Sequence, residues 1–319
     1  GSSCTVKKEF QQVTWDDALR ADLEELIRLA VREDVADQGD WTSRALVPEG
    51  ASGQAAVVVR QPGVVAGLLS VELVLAAVDP RLRWHPEAED GQRVERGTRV
   101  GWIEGPAQGL LTAERTLLNL LGRLSGIASL TRRYVDTVAG TKARIYDTRK
   151  TTPGWRRLEK YAVHCGGGQN HRTGLFEAVL IKDNHLAWGA ESTDSATRYT
   201  PAEAVVRARQ YVQQHAAKPA GSEMIIEVEV DTLEQLDQVL RADPDIVLLD
   251  NMTPPQLREA VARRDAAKPM VELEASGGVN LETVRAIAES GVDRISVGAL
   301  THSAVGLDVA LDWLSTAGA

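Results

Sequence analysis

The chain has 319 residues, 43% hydrophobic and 25% charged, with a formal net charge of −9. That length supports a large core and two domains, and the acidic balance argues against a nucleic-acid binder, which carries a basic face. No run approaches the roughly 18 consecutive apolar residues of a membrane span, and the polar start GSSCTVKKEFQQ lacks a signal peptide's apolar core, so a cytoplasmic protein is expected. Cys4 and Cys165 have neither disulfide-framework nor zinc spacing; Cys165 reads as a small buried filler.

Thr14 with Asp17 reads as a capping-box-like start, and Leu19, Leu23, Leu26, Ile27 and Ala30 follow at helical spacing to about Glu33. Gly39, Asp40 and Thr42 then supply turn and cap chemistry. QAAVVVRQPGVVAG gives two short β-branched segments broken at Pro62-Gly63; LSVELVLAAV reads as a helix, and Arg81 to Gly105 as further short strands. These make a small mixed α/β domain. Leu110 to Leu124 is the most apolar helix, with Leu110, Leu117, Leu118, Leu121 and Leu124 in one stripe, Glu114 inside it and Arg115 at its edge. Arg115 either lies along the helix surface or points into a ligand site.

From Arg144 onward, six apolar strands end in polar residues: ARIYDTRK, EAVLIKDNH, MIIEVEVDT, DIVLLDN, MVELEASGG and RISVGALTHS. Helix-like segments separate the later ones, which is the βα repeat of a parallel sheet. The expected fold is α/β, an N-terminal α/β domain over residues 1–125 and an incomplete (β/α) barrel over 126–319. An open doubly wound sheet is the alternative. GLDVALDWLSTA is read as a last helix, about 304–319, packing back on the first domain.

Lys142 to His185 holds nine Lys/Arg against four Asp/Glu. A cationic cluster in an acidic chain focuses small anions. Asp147, Arg149 and Lys150 close one strand, His171 and Arg172 follow the Gly166–Gly168 turn, and Lys182, Asp183 and His185 close another. Arginine suits a planar carboxylate and lysine a phosphate. Glu227 and Glu229, two apart on a strand, share a face; with Asp250 they offer oxygen ligands for Mg²⁺, or else pair with nearby lysines. Ser276, Gly277 and Gly278, then Gly298, sit in two consecutive late loops, where barrels bind phosphate, and His302 adds a donor.

DTRKTTPG, NHR, KDNH and EASGG occur jointly and in order, and through them the chain resembles the quinolinate phosphoribosyltransferase family. The resemblance spans nearly the whole chain. It implies an N-terminal α/β open-sandwich domain, an incomplete α/β barrel and a homodimer or larger assembly, with no nucleic-acid or membrane partner. It implies that Arg115, Arg149, His171, Arg172 and Lys182 hold the carboxylates of quinolinate, Arg115 reaching across from a neighbouring subunit. Lys150, Glu229 and Asp250 are then catalytic, at the pyrophosphate, Mg²⁺ and ribose of phosphoribosyl pyrophosphate. Ser276, Gly277, Gly278, Gly298 and His302 become its phosphate contacts. The implied reaction gives nicotinate mononucleotide, pyrophosphate and carbon dioxide.

Overall fold

The computed structural model describes residues 7–216 and 224–314; Cys4 lies outside them. The chain folds as two compact units that alternate along the sequence. One comprises the described residues up to Gln12, Tyr134–Arg149 and Gln169–Gly298; the other comprises Val13–Arg133, Lys150–Gly168 and the described residues from Ala299 on. Among the described residues no helix is long and apolar enough to cross a membrane.

The unit that begins at Val13 is built on an antiparallel sheet. Its strands are β1 (Ser52–Val59), β3 (Arg83–Pro86), β5 (Arg99–Pro106) and β12 (Val309–Leu314), in the order β12-β1-β5-β3. β2 (Gly63–Val64) and β4 (Arg93–Val94) form a separate ribbon. The Asp17–Val35 helix buries Leu19, Leu23 and Ile27. Its cap is Asp16, whose carboxylate accepts the Leu19 amide at 2.9 Å, not Thr14, which gives only a backbone carbonyl to Asp16. A charged oxygen at the positive helix end outcompetes a hydroxyl two residues earlier. Asp40 caps the Trp41–Leu46 helix as its position suggests, accepting from the Ser43 amide and hydroxyl at 3.0 and 2.6 Å.

The 31-residue Ala107–Thr137 helix buries the expected leucine stripe. Gly122 and Gly126 let another segment come close: the Leu307 amide donates to the Gly122 carbonyl at 2.9 Å, and a Cβ on Gly126 would stand 2.2 Å from the Val305 carbonyl oxygen. Just beyond Leu307 the fold departs from the helix expected there. Residues 309–314 are strand β12, antiparallel to β1 from Val59↔Val309 to Gln54↔Leu314, and not a helix. The apolar positions of VALDWL fit either period, and the open edge of β1 decides for the strand. Residues 315–319 lie outside the described part.

The other unit carries the six expected parallel strands: β6 (Arg144–Tyr146), β7 (Val179–Ile181), β8 (Ile226–Val230), β9 (Ile246–Asp250), β10 (Glu272–Ser276) and β11 (Arg294–Ser296). Their order is β6-β11-β10-β9-β8-β7. From β7 to β11 each strand steps to the next place in one direction, and the first strand pairs with the last. That is barrel winding, since a doubly wound sheet reverses direction at a switch point. The barrel is not closed: among the described residues β6 and β7 do not pair. At this seam Gln169 bridges to Tyr146, donating to the Ile145 carbonyl at 2.7 Å and accepting the Asp147 amide at 3.1 Å.

Residues 7–12 complete this unit from the start of the chain. The Glu9 carboxylate accepts from Arg294, Arg144 and the Tyr146 hydroxyl at 3.0, 2.9 and 2.6 Å, and Phe10 joins Tyr146, Ala178, Ile225 and Ile246 in the core.

Candidate active site

Parallel strands that wind one way bring their C-terminal ends to one rim, where loop residues meet. Asp147 follows β6, Lys182 follows β7, Asp250 ends β9 and Ser276 ends β10, with Asp250 and Ser276 register partners. Arg149, Lys182 and Asp231 are exposed, Glu229 and Asp250 half-buried, and His171 and Arg172 buried.

The Gln169–Arg172 segment is held by a carboxylate at the end of the neighbouring strand β6. Asp147, fully buried, accepts the His171 amide at 2.7 Å and the Asn170 side-chain amide at 2.8 Å. Gln12 pairs with the Asn170 backbone, donating at 3.1 Å and accepting at 2.8 Å. Arg172 then donates to the Ala178 carbonyl at 2.9 Å. Burial and the neighbouring Arg149 charge lower its pKa. Two guanidinium groups held close enough to repel form a site that an anion stabilises.

His171, next to Arg172 in the chain, is buried. Its Nε2 is 3.0 Å from Glu227 Oε2 and 3.2 Å from Glu274 Oε2, and its Nδ1 accepts the Arg172 amide at 2.9 Å. Burial opposes an imidazolium, but the Glu274 and Glu227 carboxylates outweigh it and raise the ring's pKa. Burial and the Glu274 charge push the Glu227 carboxyl up to about 8. Burial would raise Glu274 too, yet His171 holds it down to about 2. An amide donating into Nδ1 works against a second ring proton, so we assign the retained proton to Glu227, with the ring proton on Nε2 and Glu274 ionised. Glu227 therefore pairs with a histidine rather than a lysine. Glu274 was not singled out from the sequence, although alternation in ELEAS places it with Glu272 and Ser276 on one face, as EVEV does for Glu227 and Glu229.

Further out, Glu229, Asp231 and Asp250 each offer a carboxylate oxygen, all within 4.8 Å of one another. Burial and then Asp250 raise the Glu229 pKa, with Lys182 opposing. Three hard oxygen donors whose charges repel suit a divalent cation such as Mg²⁺. Asp231 is a further donor that the sequence motifs did not mark. His185 turns inward to its own loop, its Nδ1 accepting the Lys182 amide at 3.0 Å.

Gly277 has φ +87°, and a Cβ there would meet Asn251 Oδ1 at 2.2 Å; Gly278 also has positive φ with open space beside it. The Asn251 amide donates to the Ser276 carbonyl at 3.0 Å. Backbone is thus bared at the end of β10, as a phosphate loop requires. Gly298 closes this unit two residues after β11. A cleft of about 410 Å³ at the opposite, N-terminal strand ends is lined by Lys8, Asp243, Asp245 and Lys268, but there Lys8 pairs with Asp245 and Lys268 with Asp243.

Arg115, Lys150 and His302 belong to the other compact unit. Arg115 is exposed on the Ala107–Thr137 helix. Lys150 is exposed, and its carbonyl accepts the Thr301 hydroxyl at 2.7 Å. His302 ends the Ala299–His302 helix, its Nδ1 2.6 Å from the Ser303 hydroxyl. Cys165 is half-buried, and burial pushes its thiol up to about 12, which rules out a ready nucleophile.

Residues 127–312 match the family described as quinolinate phosphoribosyl transferase, C-terminal domain, and residues 40–125 its N-terminal domain. The chain belongs to the quinolinate phosphoribosyltransferase family. It is similar to the nicotinate-nucleotide pyrophosphorylase [carboxylating] of Mycobacterium leprae, 45% identical over 90% of this chain and 95% of the relative. It also resembles quinolinate phosphoribosyltransferase [decarboxylating] 1 of Nicotiana glauca, at 40% identity over 91% of this chain and 82% of that one. Among solved structures, the nicotinate-nucleotide pyrophosphorylase of Francisella tularensis superposes with a TM-score of 0.84 at 34% identity, covering 96% of this chain and 100% of the other.

Proposed function

We propose that the protein transfers the phosphoribosyl group of phosphoribosyl pyrophosphate to the ring nitrogen of quinolinate with decarboxylation. The products are nicotinate mononucleotide, pyrophosphate and carbon dioxide, in NAD biosynthesis. Beside the family membership, one observation carries the reading: buried Arg172 is held against the charge of Arg149, an arrangement suited to a substrate with two carboxylates. A monocarboxylate such as nicotinate needs fewer cations.

Arg149, Arg172 and Lys182 bind the quinolinate carboxylates and so aim the ring nitrogen at ribose C1. His171, its ring nitrogens engaged within the protein, contributes by anchoring the backbone at Arg172, whose amide it accepts. Arg115 completes the set from a neighbouring subunit of a homodimer or larger homo-oligomer. Lys150 and His302 in the unit that begins at Val13, and the backbone of Ser276, Gly277, Gly278 and Gly298 in the barrel unit, are each assigned to phosphate groups. Glu229 and Asp250, joined by Asp231, hold Mg²⁺, which when bound neutralises charge on the departing pyrophosphate. The C1–N bond forms as the C1–O bond to pyrophosphate breaks. Quaternised nitrogen then draws in the electron pair of the adjacent carbon–carboxylate bond, and that carbon ends protonated. Lys150 stabilises charge that develops on the leaving group, and the carboxylate-binding cations fix the ring; neither step asks a side chain to act as base. Work in the cytoplasm fits this role.

The test is formation of nicotinate mononucleotide and carbon dioxide from quinolinate, phosphoribosyl pyrophosphate and Mg²⁺. Turnover of nicotinate in place of quinolinate would overturn the reading. For the shared site, inactive Arg115→Ala and Lys150→Ala proteins are mixed under subunit exchange; recovered activity is expected, and none would refute a donated arginine.

A further inference from the structure

One ion pair in the unit that begins at Val13, its carboxylate buried and its guanidinium half-buried, reaches the backbone around both Lys150 and His302. Glu159, fully buried, lies in the first turn of the Arg156–Cys165 helix. Its Oε1 accepts the Thr152 amide at 2.8 Å and its Oε2 the Thr152 hydroxyl at 3.0 Å. The same Oε2 accepts Arg123 Nε at 3.0 Å and Nη2 at 2.8 Å. The guanidinium also donates to the carbonyls of Thr301 and Ala304. The Thr301 hydroxyl closes the circuit by donating to the Lys150 carbonyl at 2.7 Å.

We infer that Arg123 and Glu159 are positioning residues for phosphoribosyl pyrophosphate: they clamp the backbone beside Lys150 to the backbone beside His302. Every residue the circuit holds outside the ion pair is Lys150 itself, Thr152, Thr301 or Ala304, each within two positions of Lys150 or His302. A pair placed only for stability has no reason to select those groups, and an ion pair whose guanidinium is still reached by solvent adds little net stability. Side chains that carry substrate contacts must instead be held to a fraction of an ångström by a supporting shell. Arginine is suited to the task because one planar fork serves a carboxylate and two carbonyls at once. The inference rests on the proposed phosphate-binding roles of Lys150 and His302.

The experiment is steady-state kinetics of Glu159→Gln, Arg123→Lys and Thr301→Val, varying each substrate separately, beside melting temperatures. The KM for phosphoribosyl pyrophosphate is expected to rise roughly 10–100-fold in the first two variants, while that for quinolinate stays within about twofold. Thr301→Val, which removes a single bond of the circuit, should shift the same constant by less. Guanidinium ion added to Arg123→Ala should restore part of the loss. Unchanged constants, or two KM values rising together in step with a lower melting temperature, would overturn the inference. If Arg123→Ala does not fold, Arg123→Lys and Thr301→Val decide. A wild-type chain without turnover sinks the functional reading and this inference with it, whereas active wild type lacking the selective KM effect sinks the inference alone.

Discussion

Phe10 lies against His171, ring centroids 4.3 Å apart and planes inclined at 30°. A residue near the beginning of the given sequence thus packs against a histidine 161 positions later. Phe10→Ala removes a buried ring, at about 3–5 kcal/mol for such a truncation. Urea unfolding should show that loss, and a midpoint close to wild type would mean that residues 7–12 are not integral to the barrel unit.

The buried acid cluster gives stability a pH dependence whose sign can be worked out. Glu227, raised to about 8, keeps a proton in the folded state that the unfolded chain has lost, so stability falls as pH climbs from about 4.5 to about 8, by at most about 1.4 kcal/mol per pH unit. Glu274, lowered to about 2, acts oppositely and withdraws stability as pH falls below about 4.5. Unfolding measured between pH 5 and 6.5 should therefore flatten in Glu227→Gln, and an unchanged slope there would reassign the retained proton.

Gly277→Ala places a side chain at φ +87° and 2.2 Å from Asn251 Oδ1. Left-handed backbone alone costs a non-glycine residue about 1–2 kcal/mol, and Asn251 must move as well. The expected outcome is a protein less stable by that order with a raised KM for phosphoribosyl pyrophosphate. Wild-type affinity in a well-folded variant would show that the Ser276–Gly278 turn does not hold phosphate.

Asp250→Asn keeps the shape of the third carboxylate while removing its charge. The Mg²⁺ concentration for half-maximal rate should rise roughly tenfold or more, by analogy with losing one ligand-supporting group, and the fold should persist. An unaltered Mg²⁺ requirement would place the metal elsewhere.

The barrel strands were legible because each is a short apolar run ended by polar residues, and the cations at their ends raised the expectation of an anion site. Arg172 beside Arg149 is what that charge pattern predicts. Other features were hidden for identifiable reasons. Asp147 reads as one more polar strand end, yet it is buried and spent on the His171 amide, a backbone contact that residue types do not reveal. Glu274 follows the same alternation as Glu227, but only the fold shows that both reach one imidazole. Residues 309–314 satisfied a helical period by accident of spacing, and only the unpaired edge of β1, some 250 positions earlier, makes them a strand.

That last pairing bears on how the protein is made. On a ribosome β1 emerges early and finds β5 nearby in sequence, but its other edge stays bare until β12 has been synthesised. Throughout that interval a strand rich in valine offers unpaired amides and carbonyls to any passing chain. Newly made protein is exposed to aggregation at this edge for most of its synthesis, and a chain cut short before Val309 would keep that exposure permanently.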